Sequence, residues 1–211
     1  MCRRMKTRVY IDGFNLYYGA VKGTRYRWLN IARMCELLLP GYDLAGYKYF
    51  TAIVSARPDD PQKPIRQQMY VRALETIPNL EVILGHFKTH QTMMPLVNPT
   101  PGGPRFVRVW RTEEKGSDVN LATNLLNDAY LDRYDIAVII SNDSDLVAPI
   151  RIVREQIGKA VGIINPQKKS GKALYAKGGP SRRIRVGVLA QSQFPATIHD
   201  RHGIIVKPGE W

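Results

Sequence analysis

Ile136-Ala137-Val138-Ile139-Ile140 is an unbroken apolar run that ends in Ser141-Asn142-Asp143. Its length suits a strand, and a strand with no polar alternation is buried on both faces. Such strands belong to parallel sheets held between two layers of helices. The rest of the chain fits that frame. Arg8–Ile11, Tyr47–Val54, Leu80–Leu84 and Lys159–Ile164 also read as strands. Asn30–Leu39, Lys63–Thr76, Ser117–Tyr130 and Leu146–Ile157 carry apolar residues at helical spacing. Pro40-Gly41 stops the first of these helices, and Ile65, Met69 and Leu74 mark the expected inner face of the second.

An insert interrupts the alternation. Arg105–Arg111 sets Phe106, Arg108 and Trp110 against Arg105, Val107, Val109 and Arg111, which suits a strand; a strand or hairpin is expected near residues 86–111, and Pro99-Thr100-Pro101-Gly102-Gly103-Pro104 reads as a turn or mobile loop. Past Pro166 the periodicity weakens. Arg182–Gln193 fits helix or strand, and Asp200–Lys207 reads as a terminal hairpin around Arg201-His202-Gly203. The order β-α-β-α-β, insert, α-β-α-β predicts an α/β fold with a mainly parallel central sheet and helices on both faces.

At 211 residues the chain suits one domain, long enough to bury a core without staples. Two cysteines, one of them at the extreme N-terminus, argue against a disulfide framework and for a reducing compartment. No apolar run approaches the roughly 20 residues that span a bilayer, and no signal-peptide apolar region is seen, so a cytoplasmic, non-membrane protein is expected. The formal net charge is +13. Residues 150–211 carry 12 Lys+Arg against 3 Asp+Glu, whereas residues 1–149 carry 19 against 15. The positive potential is therefore concentrated in the C-terminal third, where it would attract a polyanion such as RNA.

Against this basic background four aspartates stand at structurally special places. Asp12 follows the strand-like Val9-Tyr10-Ile11, Asp143 and Asp145 follow Ile136–Ile140, and Asp118 opens the helix from Ser117. Ligands in open parallel sheets bind beyond the carboxyl ends of the strands. A crossover helix begins at that same edge, and Asp118 shares a helical face with Leu121, Ala122 and Leu125. The three segments therefore converge. Carboxylates so crowded repel one another unless a cation lies between them, and hard oxygen donors favour Mg²⁺ or Mn²⁺. The bland alternatives are a dipole-favoured carboxylate for Asp118 and helix capping by Asp143 and Asp145.

Other residues are read in pairs of roles. Asn15 either bonds a substrate or caps the helix through Leu16-Tyr17-Tyr18. Ser141 and Asn142 either bond their own loop or orient a carboxylate. Lys115 and the run Lys168, Lys169, Lys172 are the phosphate-contact candidates, with a solvated loop as the default. His86 and His90 have no third ligand, and no P-loop, dinucleotide fingerprint or nucleophile elbow is present.

Val9-Tyr10-Ile11-Asp12-Gly13-Phe14-Asn15-Leu16 resembles the opening motif of NYN domains, a branch of the PIN-like nuclease superfamily. Lys115-Gly116-Ser117-Asp118-Val119-Asn120-Leu121-Ala122 and Ser141-Asn142-Asp143-Ser144-Asp145-Leu146 resemble the second and third motifs, in the same order. The resemblance covers roughly residues 7–165, leaving 166–211 as a basic C-terminal extension expected to pack on the same domain. Leu189-Ala190-Gln191-Ser192-Gln193-Phe194-Pro195 and Lys207-Pro208-Gly209-Glu210-Trp211 also resemble the tail of the bacterial LabA-like members. The resemblance implies a Rossmann-like, PIN-type three-layer fold and a Mg²⁺ or Mn²⁺ site at Asp12, Asp118, Asp143 and Asp145, used in RNA cleavage. Two departures stand out. Many NYN sequences have Asp where this chain has Asn124, and Gly where it has Asn142.

The expected activity is a metal-dependent ribonuclease that hydrolyses phosphodiester bonds in line, leaving a 5′-phosphate and a 3′-hydroxyl. The alternative is a non-catalytic RNA-binding or regulatory module that keeps the acidic pocket. A haloacid-type phosphatase fits poorly, because Phe14 stands where that chemistry needs a second Asp. Oligomeric state stays open, a homodimer included.

Overall fold

The computed structural model describes residues 5–56, 58–167 and 181–211. Among the described residues six strands form the central sheet: β1 (Lys6–Asp12), β2 (Asp43–Thr51), β3 (Leu80–Leu84), β6 (Ile136–Ile140), β7 (Ala160–Asn165) and β8 (Ser181–Arg183). Their order is β3-β2-β1-β6-β7-β8, and every neighbouring pair is parallel. The expected mixed α/β architecture with a mainly parallel sheet is the one observed.

Strand alternation divides the core in two. Val9, Ile11, Ile136, Val138 and Ile140 face one layer, while Tyr10, Ala137 and Ile139 face the other. The first layer holds the short α1 (Gly13–Leu16), α2 (Ile31–Leu38), α3 (Lys63–Glu75) and α6 (Val186–Gln191), through Leu16, Ile31, Met34, Leu38, Ala73, Leu74 and Leu189. The second holds α4 (Ser117–Tyr130) and α5 (Val147–Arg151), through Leu121, Leu125, Ala129 and Ile150. Each buried Ile, Leu or Met side chain among them contributes about 1.5–3 kcal/mol of transfer free energy.

Local signals set the boundaries. Asn30 caps α2 by accepting the Arg33 N–H at 3.0 Å. Pro64 sits in the first turn of α3, where a missing N–H costs nothing. The single helix expected at Leu146–Ile157 is instead a composite. A 3₁₀ turn (Ser144–Leu146) leads into α5, a π-helical turn (Ile152–Gln156) follows, and Gly158 at φ 78° ends it. Pro149 is tolerated in α5 because it falls in the first turn.

The inner face of α3 also differs from expectation. Ile65 is 50% exposed and Met69 only half-buried. The inward side is Tyr70, Ala73, Leu74 and Ile77. Aromatic packing decides this rotation: the Tyr70 ring meets Tyr49, Trp28 and Trp211 at centroid distances of 6.4, 6.2 and 5.9 Å.

The insert is a long antiparallel ribbon, β4 (His86–Pro95) and β5 (Phe106–Lys115). The C-terminal residues fold back on the first layer. Trp28 Nε1 donates to Pro195 O at 2.8 Å, Asn30 N to Ser192 O at 2.6 Å and Phe194 N to Trp28 O at 2.9 Å. Arg182–Gln193, open between helix and strand in the sequence, contains both β8 and α6. The terminal hairpin is β9 (Thr197–Asp200) with β10 (Gly203–Val206). Among the described residues no helix is long and apolar enough to cross a membrane.

Candidate functional site

β1 and β6 lie side by side, with Ile11 opposite Ile140. From β1 the chain moves to β2 on one side, and from β6 to β7 on the other. The strand order reverses between them, so the following loops part and leave a crevice at the carboxyl edge. Asp12 ends β1 with extended backbone (φ −73°, ψ 104°) and is 5% exposed. Its Oδ1 accepts the Asn15 N–H at 2.8 Å and its Oδ2 accepts the Ser141 hydroxyl at 2.9 Å. Ser141 Oγ in turn accepts the Asp143 N–H at 3.1 Å. Asn15 Oδ1 accepts the Asn142 N–H at 3.1 Å, so one asparagine joins both loops.

Gly13 makes this geometry possible. A Cβ there would lie 2.7 Å from Phe50 O and 2.7 Å from the Tyr49 ring. Only a glycine lets the turn after Asp12 press against β2.

Asp118 arrives from the opposite layer. Gly116, at φ 100°, turns the chain from the ribbon into α4 and has no side chain with which to cap it. Glu114 supplies the cap: its Oε1 accepts the Ser117 N–H at 3.1 Å and the Ser117 hydroxyl at 2.7 Å. Leu121 and Leu125 anchor the helix, and Asp118 points into the crevice. The carboxylates of Asp12, Asp118 and Asp143 each offer an oxygen within 4.8 Å of the others. They line a cleft of about 280 Å³ with Phe14, Asn15, Tyr18, Phe87 and Glu114.

The electrostatics follow from that crowding. Burial, then the Asp12, Asp143, Glu114 and Asp145 charges, push the Asp118 carboxyl up to about 6. Burial also raises Asp12, against the bonds from Asn15 and Ser141, and Asp143 adds to the rise. Three oxygen donors whose charges are poorly compensated suit a hard divalent cation.

The fourth expected carboxylate does not join them. Asp145 is exposed and lies outside the cluster of three; its N–H donates to Asp143 Oδ1 at 2.9 Å. Asp143 therefore both caps the 3₁₀ turn and faces the cleft. Lys115 is not at the cleft either, being paired with Glu113 at 2.9 Å. Lys168, Lys169 and Lys172 lie outside the described residues. Asn124 is turned away from the carboxylates: its Oδ1 accepts from Lys48 Nζ at 2.7 Å and its Nδ2 donates to Asn120 O at 2.9 Å. Sequence reasoning missed Glu114, whose signal was a carboxylate three residues before Ser117, and the aromatic rim of Phe14, Tyr18 and Phe87.

The chain matches the NYN domain over residues 6–178. It belongs to the NYN domain family. The match spans β1, α4 and the β6 loop, the elements that carry the three clustered aspartates. The chain is also 30% identical to a protein named 6-hydroxy-3-succinoylpyridine 3-monooxygenase HspA, from Pseudomonas putida (strain DSM 28022 / S16), over 98% of this chain and 75% of that one. A crystal structure of a protein of unknown function from Vibrio parahaemolyticus RIMD 2210633 shares the fold at a TM-score of 0.58 and 15% identity, covering 92% of this chain and 99% of the other. Membership of the NYN family points to nuclease-like function on nucleic acid.

Proposed function

We propose that this protein is a divalent-metal-dependent ribonuclease of the LabA-like branch, acting in the cytoplasm. The observation that carries the reading is the convergence of Asp12, Asp118 and Asp143 within 4.8 Å at the switch point of the sheet. Mg²⁺ or Mn²⁺ held by these three would supply charge neutralisation at a scissile phosphate and acidify a water. The chain's own residues do the rest. Ser141 and Asn15 fix Asp12 and the β6 loop, so that the carboxylates are preorganised. Asp145, at the exposed rim, adds negative potential at Asp118. Phe14, Phe87 and Tyr18 form an apolar rim beside the carboxylates. The basic C-terminal third attracts the RNA backbone.

The test is cleavage of single-stranded and structured RNA by wild type and Asp143→Asn, purified in parallel, with Mn²⁺ or EDTA. Cleavage by wild type alone, and only with metal, supports the reading. RNA binding without cleavage, unchanged by EDTA, would favour a regulatory module instead.

A second reading rests on a different cavity. About 140 Å³ of space lies behind Gly13 and Phe14, walled by Tyr17, Tyr49, Tyr70 and Trp211. A cavity of roughly 150 Å³ admits one benzene-sized ring. Arg27 lines it, and its buried Nε has no hydrogen-bond partner among the described residues. An aromatic ring beside an anionic group suits that lining, and the Pseudomonas relative is named for a succinoyl-substituted pyridine. Dioxygen uptake dependent on 6-hydroxy-3-succinoylpyridine and a supplied reductant would decide for this reading; no uptake would remove it.

A further inference from the structure

The β4–β5 ribbon makes its main contacts within itself, and its cross-strand register defines its two faces. One face pairs Phe87 with Glu114, Thr89 with Thr112, Gln91 with Trp110, Met93 with Arg108 and Pro95 with Phe106. The two threonine hydroxyls on it are 2.9 Å apart. The inner end of this face opens on the acidic cleft. Phe87 and Glu114 line that cleft, and the Phe87 ring meets Phe14 edge-on at 5.8 Å. Further out, Trp110 is 70% exposed and Phe106 55% exposed.

The two faces differ in charge. On the opposite one, Glu113 pairs with Arg111 at 2.7 Å and with Lys115 at 2.9 Å. Arg108 stands between the two exposed rings, with no ionic partner among the described residues. At a strand rise of about 3.4 Å per residue, Trp110 lies roughly 14 Å along the ribbon from Glu114, and Phe106 roughly 14 Å beyond it. A line of ring, guanidinium and ring thus leads away from the three carboxylates.

We propose that this face is a stacking platform for single-stranded nucleic acid entering the acidic centre. Bases stack on Trp110 and Phe106, and Arg108 takes a phosphate between them. The proposal rests on the nuclease reading for its direction, although binding itself needs no cleavage. A single strand fits because its bases leave their flat faces free, which a duplex does not. Charge selects against a second copy of the chain. On this face Arg108 is the charge beside the two exposed rings and Glu114 lies at the cleft end, while Lys88, Arg111, Lys115 and Glu113 lie on the other face; the whole chain is +13. Bringing two copies together would oppose two chains of +13, whereas a polyanion complements Arg108 and the positive field of the chain.

The experiment measures binding of a labelled single-stranded oligoribonucleotide to the full chain in EDTA, by fluorescence anisotropy. Trp110→Ala and Phe106→Ala are expected to weaken binding about tenfold each, with Trp110→Phe near wild type. Arg111→Ala, on the opposite face, is expected to change it less than twofold. Matching thermal melts and the Trp110→Phe rescue separate loss of stacking from loss of fold. Wild-type affinity in both alanine variants would overturn the proposal. So would a wild-type dimer that Trp110→Ala dissociates with RNA affinity intact, which would make the face a self-association surface. Cleavage of the same oligoribonucleotide by wild type is followed separately with Mn²⁺. If it stays intact yet Trp110→Ala still weakens binding, the platform stands and the nuclease reading falls.

Discussion

Ser141 Oγ donates to Asp12 Oδ2 at 2.9 Å and so ties together the ends of the two strands between which the sheet reverses its order. Ser141 is fully buried, and the same oxygen receives the Asp143 N–H at 3.1 Å. One hydroxyl therefore orients the most buried carboxylate of the cleft and shapes the loop carrying a second. Ser141→Ala is expected to lower Mn²⁺ affinity about tenfold, as loss of a ligand-orienting bond does. It should also cost about 1–2 kcal/mol of stability through the unpaired groups. Calorimetric Mn²⁺ titration and urea unfolding check the two effects.

Asp118 predicts a pH dependence of the metal-free protein. Its folded value of about 6 lies above the unfolded value near ~3.9. The folded state binds the proton more tightly, so this contribution to stability is complete below the unfolded value and is lost as pH rises through about 6. Melting temperatures in EDTA should therefore fall between pH 5 and pH 7 in wild type. Asp118→Asn should flatten that slope and melt higher than wild type at pH 7.5, while gaining less from added Mn²⁺.

Asp128 is fully buried and gathers four donors. Lys48 Nζ lies at 2.9 Å, Arg8 at 3.1 Å, Arg133 at 3.0 Å, and the Tyr10 hydroxyl donates at 2.8 Å. Burial alone would raise this carboxyl, but the bonds from Lys48, Tyr10 and Arg8 outweigh it and hold it below the usual carboxylate range. A depressed value gives stability that is present above the unfolded pKa and is lost as pH falls through the folded one. Asp128→Ala strands the buried Lys48 ammonium and should cost about 3–5 kcal/mol. Urea unfolding of both proteins at pH 7 and pH 3 checks this, with the difference between them shrinking at the lower pH.

Asn124 tests how many ions the site holds. Its carboxamide is occupied by Lys48 and the Asn120 carbonyl, away from the three carboxylates. Asn124→Asp is expected to form an ion pair with Lys48 and to leave Mn²⁺ stoichiometry unchanged. A second equivalent of Mn²⁺ in the variant would show that the side chain can swing into the cleft.

Gly13→Ala is expected to be costly out of proportion to one methyl group. The added carbon would meet Phe50 O and the Tyr49 ring at 2.7 Å, and a backbone carbonyl cannot rotate aside. Displacing the turn would move Asn15, which holds both Asp12 and Asn142. Loss of about 1–3 kcal/mol in stability together with weakened metal binding is the expected pair of readouts.

Much of this was legible in the sequence because it depends on local patterns. Ile136–Ile140 reads as a doubly covered strand because no polar residue interrupts it. Asp12 and Asp143 are found by chain position alone, since a residue directly after a parallel strand lies at the ligand-binding edge. Asp118 follows from helical phase with Leu121 and Leu125. The alternation of Phe106, Arg108 and Trp110 against Val107 and Val109 likewise announces one face of a ribbon.

Other features depend on what meets across the fold. Asp145 has the same local signature as Asp143 but points outward, because the 3₁₀ turn capped by Asp143 rotates it to the exposed side. The inner face of α3 is set by Tyr70 finding Trp28, Tyr49 and Trp211, which are far apart in the chain. The partners of Asp128 come from β1, β2 and the end of α4, and no periodicity foretells such a meeting.

By itself the sequence determined the elements, the parallel sheet and three candidate points at one edge, because hydrophobic period and strand-end position are properties of neighbouring residues. Only the tertiary structure decided which carboxylates share one volume and that a ribbon face continues the cleft. Those depend on distances between segments at least 25 residues apart (Asp118 and Asp143 are the nearest in sequence), which are set by sheet order and packing rather than by local propensity.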